Sequence, residues 1–461
     1  MNLSTTVSWL SKPKNLWISI FVYTVLSGLF VQMILLPYIF PSWQSESRDP
    51  VAAKGLLAKM DGQKFHRIAW DVSEAIKAKG WSQWELTPQG QLVSGIAAIC
   101  YVLIYPAPWS VLPVNGFMNA SAGVCMALIL GAILFDTKKG LIAALPFLFF
   151  PSNLLWNTQF HNENYAIPGV VFVLYGWTVL TEKNEEGKYS SSLAGAIGAV
   201  FSITIGSLLL GLVRVYILAG MTYLLILIGI GLGIYWLFTK VKSREYMARM
   251  GLVTITVVIM LSSLALTKPF ESKLIVVGNP TASSRTRKPS KWENTAWMPK
   301  LIDDQLKALA KYRGKFVAAW EKGGSSIDLD VTFSNASDMI TYFPRAIQIS
   351  FLAPFPSMWF STGRNDSGTA MRIASAFEMI LVYFFLLGLP LFFWSHRSQP
   401  AVWAISIICA AMLIVYAMII PNIGSLYRFR YPFLMPLVCF GLAGWMRLFE
   451  NHSIFARRKS T

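Results

Sequence analysis

The sequence predicts an all-α protein that crosses a membrane about ten times. Three observations carry that expectation. Apolar residues make up 54% of the chain and charged residues only 14%, about half the charged fraction of a water-soluble domain. Apolar runs long enough for a bilayer's hydrocarbon layer, about 20 residues each, recur along the whole chain. Lysine and arginine gather at alternate ends of these runs, as they do where basic loops stay cytoplasmic.

The runs lie near 15–40, 111–135, 141–160, 166–181, 191–213, 215–238, 251–267, 372–394, 401–421 and 431–449. The first is too long for a signal-peptide core and lacks a small-residue cleavage site, so it is expected to stay as a helix. A shorter apolar piece, 91–105, ends at "YPAPWS" and is expected to lie in the interface or to re-enter. The chain then divides into a membrane core over 1–267 with a long first loop at 41–110, a large loop over 268–371, and C-terminal spans over 372–461. A formal charge of +17 would suggest nucleic acid for a soluble protein. In an apolar chain it points to lipid headgroups, phosphate-bearing lipids and orientation signals. Cys100, Cys125, Cys409 and Cys439 all lie in apolar runs without metal-site or CxxC spacing, which makes them packing residues.

With the N-terminus cytoplasmic, one face receives Lys12 and Lys14, Lys138 and Lys139, "TEKNEEGK", "TKVKSREYMAR", His396 and Arg397, and "ARRKS". The outer face then collects the first loop, the turn "QFHNENY", the loop 268–371 and the turn before the last span. In the first loop, Phe65, Ile68, Val72 and Ile76 recur at helical spacing, which predicts a helix on the membrane surface. Asp61 opens it, either as an N-cap or as a carboxylate available for chemistry near His66. Asp49 is the rival carboxylate. In the turn, His161 and Glu163 can move protons or bind metal, although the bland alternative is an ordinary solvated loop. They leave room for a divalent cation without specifying one.

In the large loop, Ile302, Leu306, Leu309, Phe316 and Trp320 are expected to form one face of an amphipathic helix. The following "SDMITYFPRAIQISFLAPFPSMWF" carries Arg345 among three prolines and reads as a broken helix dipping into the interface. Glu378 lies inside an apolar run. A carboxylate there costs about 2.5–3.5 kcal/mol to insert and calls for a cavity or a partner; Arg214 is a candidate partner. Arg428 and Arg430 stand in "GSLYRFRYPFLMPL". They either snorkel to headgroups beside Tyr427 and Tyr431 or grip a lipid phosphate in their planar forks.

Two stretches, "LFFPSNLLWNTQFHNENYAIPGVVFVLYG" and "GSLYRFRYPFLMPL", together with the first loop, resemble the GT-C superfamily of membrane glycosyltransferases. The likeness is to the bacterial surface-polysaccharide relatives of the dolichyl-phosphate-mannose protein mannosyltransferases. The resemblance implies a multi-pass enzyme of the bacterial inner membrane with a periplasmic site. It would pass a sugar from a polyprenyl phosphate to a saccharide or lipid acceptor with inversion. It also implies roles: an acidic residue at Asp61, a second acidic site at His161 and Glu163, and phosphate binding by Arg428 and Arg430, with Arg345 as a further candidate. The chain departs from the pattern in offering one carboxylate in "MDGQK" and Asn162–Glu163 in the second turn, so the base and any metal stay open. A polysaccharide polymerase or ligase of the O-antigen type, or a lipid-linked sugar flippase, are the alternatives.

Overall fold

The computed structural model describes residues 3–44, 54–58, 61–182, 192–239, 244–274, 292–320, 324–363 and 366–459. Every regular element among the described residues is helical. Nine described helices are long and apolar enough to cross a membrane: Pro13–Ile39, Pro108–Ile133, Glu163–Thr181, Ala194–Val213, Val215–Ile234, Ala248–Pro269, Asp366–His396, Pro400–Ile419 and Tyr431–Glu450. The protein is an all-α, multi-pass membrane protein. It packs as two units. The first holds Met1–Leu274, Phe384–Ile408 and Met435–Thr461; the second holds Ile275–Tyr383 and Cys409–Leu434.

The expected span at 141–160 is not one helix. Prolines at 146 and 151 divide it into short helices Thr137–Ala143 (α5), Leu145–Phe149 (α6) and Pro151–Thr158 (α7), which follow Leu112–Ile133 (α4). Each proline sits at the start of its helix, where its missing N–H costs nothing. The three pieces still run the full height of α4, antiparallel to it. Gly140 packs on the Gly131 backbone at one end, and Leu148 meets Gly123 in the middle. At the other end Asn115 donates to the Asn157 carbonyl at 3.1 Å. The pieces therefore line α4 as a stack rather than as one continuous helix. Asp136 turns the chain between α4 and α5 by accepting from the Lys138 and Lys139 amides.

Contacts in the first unit sort the loops onto two sides. On one side, Gln399 donates to the Ile133 carbonyl at 2.9 Å, and Lys139 pairs with Glu450 at 2.9 Å. Arg249 reaches the Val179 carbonyl at 3.0 Å on the same side of its helices. These are the basic ends. An exposed ion pair such as Lys139–Glu450 adds little stability, but it reports which ends are neighbours. On the other side, the first loop lies over the second turn. Gln32 donates to the Thr158 carbonyl at 2.7 Å, and the Leu57 amide donates to Gln159 at 2.9 Å. Asn162 donates to Gln91 at 2.9 Å.

That covering layer is built from Asp61–Lys79 (α2) and Leu92–Leu103 (α3). Phe65, Ile68 and Ile76 of α2 are buried with Ala69 and Ser73, which matches the predicted stripe. α3 is too short to span and packs against α2, where Ser94 donates to the Phe65 carbonyl at 2.9 Å.

The second unit contains Lys300–Trp320 (α12), Ala336–Leu352 (α13), the first part of Asp366–Leu386 (α14), the end of Pro400–Ile419 (α16) and Ile423–Phe429 (α17). The first unit also contains Glu163–Thr181 (α8), Leu193–Val213 (α9), Val215–Thr239 (α10), Arg244–Leu274 (α11) and, after α14 in the chain, Leu389–His396 (α15). α13 is not broken at Pro344, which lies within a continuous helix. One face, with Met339, Tyr342, Ala346 and Ile349, is buried and holds it straight. The break falls after Leu352. There the Tyr383 hydroxyl donates to the Leu352 and Pro354 carbonyls. Arg372, on the same helix as Tyr383, instead holds the Thr362 carbonyl at 2.9 Å and the Gly324 carbonyl at 2.7 Å. At 1.5 Å per residue the two levels differ by about 17 Å along α14. The end of α13 therefore meets α14 about three turns further along than Thr362 and Gly324 do.

Candidate functional site

In the first unit the turn between α7 and α8 is not a solvated loop. Asn157, Thr158, Gln159, His161, Asn162, Glu163 and Asn164 are all buried. Buried polar groups must find partners, and the covering loop supplies several. Gln159 binds the first loop through both ends of its amide, accepting from Leu57 and donating to the Gly55 carbonyl at 3.3 Å. Asn164 donates back to the Gln159 carbonyl at 3.1 Å. His161 is fully buried and meets the Trp156 ring edge-on. Glu163, the first residue of α8, accepts from Arg214 at 2.9 Å. Arg214, considered above as a partner for Glu378, is thus engaged by Glu163.

Asp61 stands beside this turn. It is exposed and is the first residue of α2, where the helix dipole favours a negative charge. The next residue, Gly62, lies against the turn so closely that a Cβ there would sit 3.2 Å from the Phe160 carbonyl oxygen. Asp61 and the His161–Glu163 turn, far apart in sequence, are therefore neighbours. His66 is not part of the same surface. Five residues from Asp61, it projects about 140° around the helix; it is buried, and its Nδ1 hydrogen-bonds the Tyr101 hydroxyl. Among the described residues no group of three or more His, Cys, Asp or Glu side chains could hold a metal ion. Asp49 lies outside the described residues.

In the second unit the two arginines of the final turn have different surroundings. Two residues apart on a helical turn, they point about 160° apart. Arg430 is 1% exposed. It donates to the Ser350 carbonyl at 3.2 Å and to the Met379 sulfur at 3.1 Å, and lies over the Tyr427 ring. Glu378 interacts with both Arg430 and Tyr427, so the intramembrane carboxylate has its partners here. Arg430 binds the end of α13 to α14. Arg428 is half-buried, with its guanidinium 5.1 Å from the Phe429 ring centre.

Arg345 is committed within the chain. Its fork meets the Asp328 carboxylate at 3.0 and 3.3 Å, and its remaining nitrogen donates to Gln348 at 2.6 Å. Asp328 also accepts from the Tyr342 hydroxyl at 2.9 Å. Its φ of 49° is in the left-handed region that aspartate tolerates better than most residues. Beneath it, Arg313 donates to the carbonyls of Val331 at 3.0 Å, Met418 at 2.8 Å and Asp328 at 2.6 Å. Phe333 and Tyr342 flank its guanidinium.

α12 forms over the expected segment. Its buried side chains are Asp303, Arg313 and Val317, with Leu306, Leu309 and Phe316 of the expected apolar face half-buried and Ile302 46% exposed. Asp303 accepts from the Trp292 indole at 2.9 Å. The Trp320 side chain lies outside the described residues. Sequence reasoning did not single out Arg313, Asp328 or Tyr101. Their role lies in partners distant in sequence, which no local pattern signals.

Burial works to raise the Asp328 pKa, but the hydrogen bonds from Arg345 and Tyr342 outweigh it and hold the carboxyl below the ordinary range. A depressed carboxyl pKa stabilises the fold at pH above the unfolded value, about 3.9 for aspartate, and that contribution is lost as pH falls through the folded value. Residues 324–352 should therefore lose protection against hydrogen exchange at acid pH below about 4. Asp328→Asn keeps the turn-compatible backbone and should flatten this acid response. An identical acid response in the variant would assign the loss to another group.

Compared with known protein families, curated proteins and solved structures, the chain matches none.

Proposed function

We propose that the protein is an inverting glycosyltransferase of the bacterial inner membrane. It takes a sugar from a polyprenyl phosphate at the periplasmic face, in the synthesis of a surface polysaccharide or glycolipid. The observation that carries this reading is the exposed Asp61 carboxylate at the head of α2, packed through Gly62 against the buried turn at Phe160. Glycosyl transfer needs a base for the acceptor hydroxyl and positive charge for the departing phosphate. Of the two carboxylates, Glu163 is 3% exposed and Asp61 is exposed, so an acceptor arriving from solvent meets Asp61. Asp61 is the base in this reading, and Glu163 fixes the turn beside it.

In the second unit, Arg428 has the phosphate-binding role that the resemblance implies for this turn. Arg430 holds Ser350 and Met379, and Arg345 holds Asp328. They act as positioning residues for α13.

The reaction separates this reading from a transporter. Purified protein is incubated with polyprenyl phosphate carrying a radiolabelled sugar. An enzyme moves label to water or to an added acceptor. Label that stays on the lipid while the lipid binds the protein would favour a flippase.

A further inference from the structure

α12 exposes an apolar side that the second unit leaves uncovered. Leu301 is 79% exposed and Tyr312, on the same side of the helix, 40% exposed. Trp297, just before the helix, is 61% exposed. The opposite, inward side is already occupied by Asp303, Arg313 and Val317. Beside the apolar side runs a basic one. Lys307, Lys311 and Lys315 recur at four-residue spacing and are all exposed, and Lys300 shares their side of the helix by its sequence spacing. At their common edge the Lys315 ammonium lies 5.4 Å from the Tyr312 ring centre. An apolar stripe with an aromatic, bordered by lysines, is the pattern of a helix that rests in a membrane interface.

Two contacts fix the height of α12 within its unit. Arg313 donates to the carbonyl of Met418 at 2.8 Å, the second-last residue of the membrane-spanning α16. Arg372 holds the Gly324 carbonyl, just past the end of α12, at 2.7 Å. Arg372 is also where α14 passes from the polar "DSGTAMR" into its apolar run. Both contacts put the second half of α12 where a span meets the edge of the apolar layer. Headgroups lie at that level.

We infer that α12 docks on the headgroup layer of the bilayer, with Trp297, Leu301 and Tyr312 inserted and the lysines against anionic phosphates. The apolar side meets the upper acyl region, and the basic side supplies a preference for negatively charged lipid that salt screens. The docking is independent of the proposed catalytic activity.

The test uses the full-length protein in nanodiscs of phosphatidylcholine, alone or mixed with phosphatidylglycerol. An environment-sensitive fluorophore is placed at Leu301→Cys or Tyr312→Cys; the native cysteines are buried or part-buried. A lipid carrying a quencher near its headgroup should remove most of the signal at both positions. The quenching at 301 should be stronger with phosphatidylglycerol and fall back to the phosphatidylcholine level with added salt. Replacing Lys307, Lys311 and Lys315 together by glutamine should abolish that lipid dependence and leave the unfolding temperature unchanged. The inference is overturned if the fluorophore at 301 stays aqueous in both lipids. It is overturned equally if position 301 is shielded from water but the lipid-borne quencher leaves its signal intact, since a second copy or another protein would then cover the face.

Discussion

Arg214→Ala should be among the most damaging single substitutions in the first unit. Glu163 is 3% exposed and Arg214 18%. Removing one member of a buried ion pair strands the other charge, at a cost of about 3–5 kcal/mol. The loss should appear as a large drop in unfolding temperature and poor yield from the membrane. Glu163→Gln with Arg214→Gln removes both charges and keeps polar groups in place, so the pair should recover most of the stability. A melting curve for Arg214→Ala that overlays the wild type would show that the pair does not hold the turn. The test also separates folding from chemistry, because the double variant should retain Asp61 in its place beside Phe160.

The second large effect concerns the two arginines of the final turn, for which the structure predicts opposite outcomes. Arg430→Lys should destabilise the second unit. A lysine cannot reproduce the planar fork that meets Ser350 and Met379 together, and a poorly matched cation would face Glu378. A loss of about 3–5 kcal/mol is expected where a buried charge partner is removed outright by Arg430→Ala. Arg428→Ala should leave stability near wild type. Charge-assisted hydrogen bonds contribute about 1.5–3 kcal/mol, so donor affinity should fall about tenfold to a hundredfold. Thermal unfolding and a polyprenyl phosphate binding titration on each variant read the two properties separately. If Arg430→Ala melts normally and loses donor affinity while Arg428→Ala binds normally, the two roles are reversed.

Hydrophobic periodicity and charge placement made the membrane fold legible. The first-loop helix was legible too, because Phe65, Ile68 and Ile76 all point inward and apolar spacing decides its face. On α12 the same rule found the helix and its apolar face, of which Leu306, Leu309 and Phe316 are half-buried. It could not find the buried Arg313 beside them, whose partner Met418 is far away in sequence. The apolar run at 141–160 was legible as helical but not as a stack of short helices, since Pro146 and Pro151 act locally while the register with α4 is set by packing. The turn "QFHNENY" was legible as a cluster of polar groups. Its burial was not, because the loop that covers it at Gly55 and Leu57 comes from a distant part of the chain. Similarly, "RFR" looks like one motif in one dimension, but helical rotation sends its two guanidinium groups to different environments.

Phosphorus NMR on the purified protein with a polyprenyl phosphate-linked sugar tests the proposed glycosyl transfer most directly. Transfer breaks the sugar–phosphate bond, so the phosphodiester signal of the donor should decline and a polyprenyl phosphate monoester signal should grow. With Asp61→Asn the monoester should form far more slowly, while the unfolding temperature and donor binding stay at wild-type values. A diester signal that persists with wild-type protein, a known acceptor present and the lipid bound, would contradict the account.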